Sequence, residues 1–182
     1  MYKTILILIC IFILICIYLS HNINTLEIAQ YTIKNKKIPK EFDGYNIVQI
    51  SDLHSKSFGK NNIKLLQKIK YLNPDIIVIT GDLVDGENNN YDIALNFMKE
   101  LTKLYKVYYI IGNHEQKALI KKYKQEYIKY FEELNQIDFI NLDDDKVKIQ
   151  KNNSKINLYG LTVPYSCYKY LFDDKEITTI DS

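Results

Sequence analysis

The chain has 182 residues, with 24 Lys and Arg against 22 Asp and Glu and a formal charge of +2. That length suits one domain with its own core and falls short of two, and the near balance of charge excludes a binder drawn to nucleic acid by a basic field. Cys10, Cys16 and Cys167 form neither a disulfide framework nor a Cys-x-x-Cys pair, so they do not report a redox compartment.

Ile5 to Leu19 is an unbroken apolar run, and Thr4 to Ser20 adds tolerable ends. As a helix the segment reaches about 25 Å, the short end of what spans a bilayer. Tyr2 and Tyr18 fall near the two expected interfaces. A secretory signal starting at Lys3 is the competing reading, but Ser20-His21-Asn22 is a poor cleavage site. The segment 4–20 is therefore read as an uncleaved single-pass anchor in the cell membrane. Lys3 favours a cytoplasmic N-terminus and an extracytoplasmic remainder, although Lys34, Lys36, Lys37 and Lys40 blur the charge rule.

Residues 21–40 follow as spacer and first strand: His21 to Thr25 is polar, Leu26 to Ile33 predicts a strand, and Lys34 to Lys40 a basic turn. The domain proper is 41–182. Apolar, β-branched runs at Ile47-Val48-Gln49-Ile50, Ile76-Ile77-Val78-Ile79 and Val107-Tyr108-Tyr109-Ile110-Ile111 predict buried strands. Helical stripes lie between them. Asn61 to Leu72 carries Ile63, Leu65, Leu66 and Ile69, and is stopped by Asn73-Pro74. Tyr91 to Leu104 carries Ile93, Ala94, Phe97, Met98 and Leu101, and Lys117 to Leu134 predicts a third, Lys- and Tyr-rich helix with much exposed surface. Phe139 to Leu142, Val147 to Gln150 and Ile156 to Leu161 predict further strands, with Asp143-Asp144-Asp145 as a solvated turn.

Each of the first three strands is followed by a polar cluster: Asp52-Leu53-His54, Gly81-Asp82-Leu83-Val84-Asp85, and Gly112-Asn113-His114-Glu115. The clusters recur about 30 positions apart, the length of one strand–helix–strand unit. Parallel strands joined by crossover helices bring such clusters to one edge of the sheet. Taken singly, each has a plain explanation: a polar pair ending a strand, a turn with an Asp cap, a helix cap. Together, in this order and spacing, they read as a metal site. Oxygen and imidazole donors suit a hard-to-borderline divalent metal. Asp52 and His54 share one face of an extended strand end, Asp82 is placed to bridge two metals, and Asn113 offers an amide oxygen. Two such cations can activate a water and stabilise phosphoryl oxygens. His114 could protonate the departing alkoxide, with Asp85 holding its imidazole in the right tautomer.

These clusters resemble the first three motifs of the calcineurin-like metallophosphoesterase superfamily. Phe42-Asp43-Gly44-Tyr45 and the lead-in Ile50-Ser51-Asp52-Leu53-His54 resemble its small bacterial membrane-anchored members. The resemblance covers about Leu26 to Leu161. It implies an α/β fold, the N-terminal portion of a four-layer α/β/β/α sandwich, preceded here by a transmembrane helix. It implies a binuclear site of Mn, Fe, Zn or Mg type on Asp52, His54, Asp82 and Asn113, with His114 as leaving-group acid and Asp85 as its partner. Gly86 stands where the protein Ser/Thr phosphatases carry Arg, which sets this chain outside that branch. The family completes its shell with three further histidines, two of them in Gly-His-x-His, whereas this chain holds only His21, His54 and His114. The domain is therefore expected to be C-terminally truncated.

The expected function is metal-dependent hydrolysis of a phosphomonoester, phosphodiester or pyrophosphate bond. The alternative is a catalytically inactive, membrane-tethered remnant that acts by binding. A nucleotide-binding α/β module lacks its Gly-rich phosphate loop here. The expected partners are a phosphate-ester substrate and, through the N-terminal helix, the membrane; neither nucleic acid nor a protein partner is indicated.

Overall fold

The computed structural model describes residues 2–23 and 25–172, with the surroundings of side chains given for 2–16 and 25–168. The expected domain's last residues, 173–182, lie outside the described set. The chain divides into two units, 1–34 and 35–182, each taken by itself below.

The first unit holds α1 (Tyr2–Ile23), whose large side chains from Ile5 to Ile15 are exposed. The predicted anchor falls within this helix. Among the described residues, however, no helix is long and apolar enough to cross a membrane. The side chains of Tyr18 and His21 lie outside the described set. The expected strand Leu26 to Ile33 does not form: residues 25–35 have no regular structure and are almost all exposed. A β-branched segment makes a strand only where a neighbour accepts its backbone hydrogen bonds, and no described residue does so here.

The second unit opens with a 3-10 turn, Lys40–Phe42, and then alternates strand and helix. The strands β1 (Ile47–Ile50), β2 (Ile76–Ile79), β3 (Val107–Tyr109) and β4 (Ile140–Asn141) form one parallel sheet in that order. Ile47 pairs with Ile76 and Ile50 with Ile79, Ile79 pairs with Tyr109, and Tyr109 with Asn141, so the strand ends line up. The crossovers are α2 (Ile63–Leu72), α3 (Asp92–Thr102), and the pair α4 (Asn113–Ala118) and α5 (Lys124–Leu134). A hairpin, β5 (Lys146–Lys151) and β6 (Ser154–Tyr159), follows, and then α6 (Tyr165–Phe172), which the sequence reading did not anticipate.

Period-2 alternation along the parallel strands builds two cores. Ile77, Ile79, Val107 and Tyr109 face the helices, packing with Ile69 of α2, Phe97, Met98 and Leu101 of α3, and Tyr127, Tyr130 and Leu134 of α5. Ile76 and Tyr108 face the other way, against Phe42, Leu142 and Ile149 of the hairpin. Helices, parallel sheet and hairpin are thus stacked layers, as an α/β fold with both sheet faces covered requires.

Two sequence expectations are corrected here. Lys117 to Leu134 is not one helix; it is interrupted at 119–123. Glu115 ties α4 to the loops after β2 and β3, while α5 must seat Tyr127 and Tyr130 in the core, and the separate helices meet both demands. Its tyrosines are consequently core residues, with Tyr127 and Tyr130 fully buried. Asp143-Asp144-Asp145 is more than a solvated turn. Asp143 Oδ1 accepts from the Ile111 N–H at 2.8 Å and the Thr162 hydroxyl at 2.7 Å, and Asp144 Oδ1 from the Thr162 N–H at 3.0 Å. The turn joins the end of β3 to the exit of β6.

Candidate metal centre

The three polar clusters begin where β1, β2 and β3 end. Beyond the strands, the pairing of β1 with β2 continues through their loops. Asp52 N–H donates to the Gly81 carbonyl at 3.3 Å, His54 N–H to Asp82 at 2.9 Å, and Ser55 N–H to Leu83 at 2.8 Å. These bonds hold Asp52, His54 and Asp82 at φ of 56°, 48° and 55°, in the left-handed region. Such a conformation costs a non-glycine residue about 1–3 kcal/mol and persists where the surroundings over-determine it. The turn out of the strand re-aims these side chains, and of the three only Asp82 is buried.

The Gly81 and Gly112 backbones touch: a Cβ at Gly81 would overlap Gly112, and one at Gly112 would overlap the Asp82 carboxylate. Asp82 is 8% exposed, and its Oδ1 accepts the backbone N–H of His114 in the first turn of α4 at 2.9 Å. His114 lies edge-on to His54. Its Nδ1 contacts the Asp85 backbone carbonyl and lies 3.6 Å from the Asp85 carboxylate. Both are acceptors, so the Nδ1 proton stays in place and Nε2 is the free nitrogen. Asp85 thus meets the ring with its main chain, its carboxylate standing farther off.

His54, Asp82 and His114 each offer a ligand atom within 4.8 Å of the others. Two imidazoles and a carboxylate converging on one point fit a borderline or hard divalent cation. Asp52 stands at the rim, its side chain 66% exposed and Oδ1 3.7 Å from His54 Nε2. Asn113 opens α4, half-buried and adjacent to His114. The residues predicted from sequence thus gather at one edge, with His114 inside the tightest group and Asp52 least enclosed. Beside them, Lys117 pairs with Glu87; this hydrogen bond holds the Glu87 carboxyl below and the Lys117 ammonium above their usual ranges.

Sequence reasoning gave Glu115 a part in a helix cap and none in the metal site. It is fully buried, and its carboxylate accepts four backbone N–H groups: Asp82 at 2.8 Å, Leu83 at 2.7 Å, Val84 at 3.3 Å and Gly112 at 2.9 Å. Burial pushes its pKa up; the Asp82 and Gly112 amides oppose that shift, while the neighbouring Asp82 charge adds to it. One signal was present: Glu115 sits three residues after the N-cap Gly112, the position from which a Glu reaches back to the cap.

The Calcineurin-like phosphoesterase family model matches residues 45–180. The "Uncharacterized metallophosphoesterase YkuE" of Bacillus subtilis (strain 168) is 34% identical over 94 residues, 50% of this chain and 33% of its own length. A "Probable glycerophosphodiester phosphodiesterase GpdQ" of Arcobacter nitrofigilis is 34% identical over 125 residues, 60% of this chain and 44% of its own. A "Transmembrane protein with metallophosphoesterase domain" of Danio rerio is 26% identical over 91 residues, 49% of this chain and 21% of its own. The chain spans less than half the length of each of these relatives. No solved structure matches it.

Proposed function

This chain belongs to the calcineurin-like phosphoesterase family, and we propose that its site hydrolyses a phosphate ester with the help of two divalent cations. The observation that carries the reading is the convergence of His54, Asp82 and His114 within 4.8 Å. Asp52, His54, Asp82 and Asn113 would hold the cations. Bound there, the cations would lower the pKa of a water so that hydroxide is available near neutral pH, and would supply a positive field for the phosphoryl oxygens.

The remaining steps belong to the chain. His114 keeps its Nδ1 proton against Asp85 and, when Nε2 is protonated as well, gives that Nε2 proton to the leaving oxygen and returns to the neutral ring. Asp82 fixes the position of His114 through its backbone N–H, so the acid and the ligand cluster keep their spacing. With His114 as the acid, His54 is the imidazole ligand in the domain, beside the oxygens of Asp52, Asp82 and Asn113. Mn, Fe, Zn or Mg satisfies this donor set.

The relative from Arcobacter nitrofigilis is named a phosphodiesterase, which favours a diester as substrate. The run Ile5 to Leu19 and the zebrafish relative's name support attachment of the domain to a cell membrane. The test is release of nitrophenolate from bis(p-nitrophenyl) phosphate with Mn²⁺. Release that EDTA and His54→Ala both abolish supports the assignment, and no release by Mn-loaded protein overturns it.

A further inference from the structure

Glu115 offers nothing to a cation directly. Its Oε1 accepts from Leu83 and Val84 and its Oε2 from Asp82 and Gly112. A carboxylate has about four lone-pair sites, and all are taken by backbone amides. What these bonds do is join two loops. Asp82 to Val84 follow β2, Gly112 follows β3, and one side chain clasps both. A second link runs back the other way, from the His114 N–H to Asp82 Oδ1. Between them the two links fix how far the Asp82 carboxylate lies from the His114 ring.

We propose that Glu115 is a positioning residue that preorganises the metal centre, setting cation affinity by locking the loops after β2 and β3 before a cation arrives. The role rests on the metal-dependent reading above. Asp82 is held at φ 55°, a conformation it leaves readily once its N–H loses its acceptor. Relaxation toward extended backbone would swing its carboxylate out of the His54–His114 group, and a cation would then have to reassemble the site as it binds.

The test is Mn²⁺ titration of Glu115→Gln and Glu115→Ala, followed by electron paramagnetic resonance at a temperature where circular dichroism shows both folded. Gln keeps one oxygen for one pair of amides and turns an NH₂ on the other. It should bind Mn²⁺ about tenfold more weakly than wild type, and Ala nearer a hundredfold. Leu134→Ala is the control, a buried residue of α5 with no bond to either loop. It destabilises the core and should keep wild-type affinity. Glu115→Gln binding as tightly as wild type, or Leu134→Ala losing as much affinity, would overturn the role and leave the metal site standing. Failure of the wild-type chain to bind Mn²⁺ would remove the metal reading and this role with it. If the Ala variant does not fold, the Gln variant decides.

Discussion

The imidazole of His54 stands edge-on to that of His114, with ring centroids 4.4 Å apart and planes at 76°. The first is carried by the loop after β1 and the second by α4 after β3, so the rings meet across the end of β2, where Asp82 lies. A contact between residues this distant in sequence depends on the parallel order of the strands. It also sets different expectations for the two rings, because only His114 has its Nδ1 fixed by Asp85.

Removing His114 should therefore cost chemistry more than metal. His114→Asn is expected to lower turnover of alkyl phosphodiesters about 100-fold or more, the usual worth of a positioned general acid. For nitrophenyl esters, whose leaving group needs little protonation, the loss should be much smaller. Turnover numbers for the two substrate types, measured at equal Mn²⁺ occupancy, check this; equal losses would take the acid role from His114.

Glycine contact at the centre makes a sharper prediction about folding. Gly112→Ala would drive a methyl into the Asp82 carboxylate, whereas at Gly44 a Cβ meets nothing within 4 Å. Gly44 has φ 69°, so Gly44→Ala should cost about 1–2 kcal/mol of backbone strain and keep metal binding. Gly112→Ala should lose metal binding whatever its melting temperature. Thermal melts paired with Mn²⁺ titration separate the two variants.

Much of this was legible in the sequence, and the rest was hidden for identifiable reasons. The β-branched runs at 47–50, 76–79 and 107–109 announced buried parallel strands, and the polar residues just after them had to share one edge. Leu26 to Ile33 has the same local character and forms no strand, because strand formation depends on a partner that composition does not reveal. The interruption after Ala118 carries no Gly or Pro in 113–134; it reflects tertiary demands on α4 and α5. Tyr127 and Tyr130 read as surface residues among lysines, yet the face they share points into the core. Glu115 was visible as a letter in the third cluster, but its four amide partners lie about 30 residues away or across the cap.

The turn at 143–145 supports a third expectation. Asp143→Ala removes the acceptor of both the Ile111 N–H and the Thr162 hydroxyl. The cost should be about 2 kcal/mol, that of leaving partly buried donors unpaired. Asp143→Asn, which keeps an amide oxygen, should cost less. Urea unfolding of the two variants gives the ranking, and a neutral Ala variant would show that the turn joins nothing of consequence.

Stability should also fall in alkali through the buried tyrosines. Burial pushes the Tyr109 and Tyr130 phenols well above their usual range, and the Glu115 charge adds to it. The two hydroxyls interact with one another but fall short of hydrogen-bond geometry. A phenol whose pKa is raised in the folded state keeps its proton where the unfolded chain loses it. Stability is then full below the unfolded value and falls as pH rises through about 10. Tyr130→Phe removes one such group without breaking a hydrogen bond, and its urea midpoint should drop less than wild type's between pH 8 and pH 11. Equal drops would show that Tyr130 contributes nothing to alkaline unfolding.

The central claim is that the ends of β1, β2 and β3 form a binding site for divalent metal. Anomalous diffraction at the manganese edge, from crystals soaked in Mn²⁺, tests it most directly. Density is expected on His54 and Asp82 beside the His114 ring, with a second peak about 3.5–4 Å away toward Asn113 or Asp52, and loss of both peaks in Asp82→Ala. Density elsewhere on the molecule with none at this cluster, or peaks unchanged by Asp82→Ala, would contradict it.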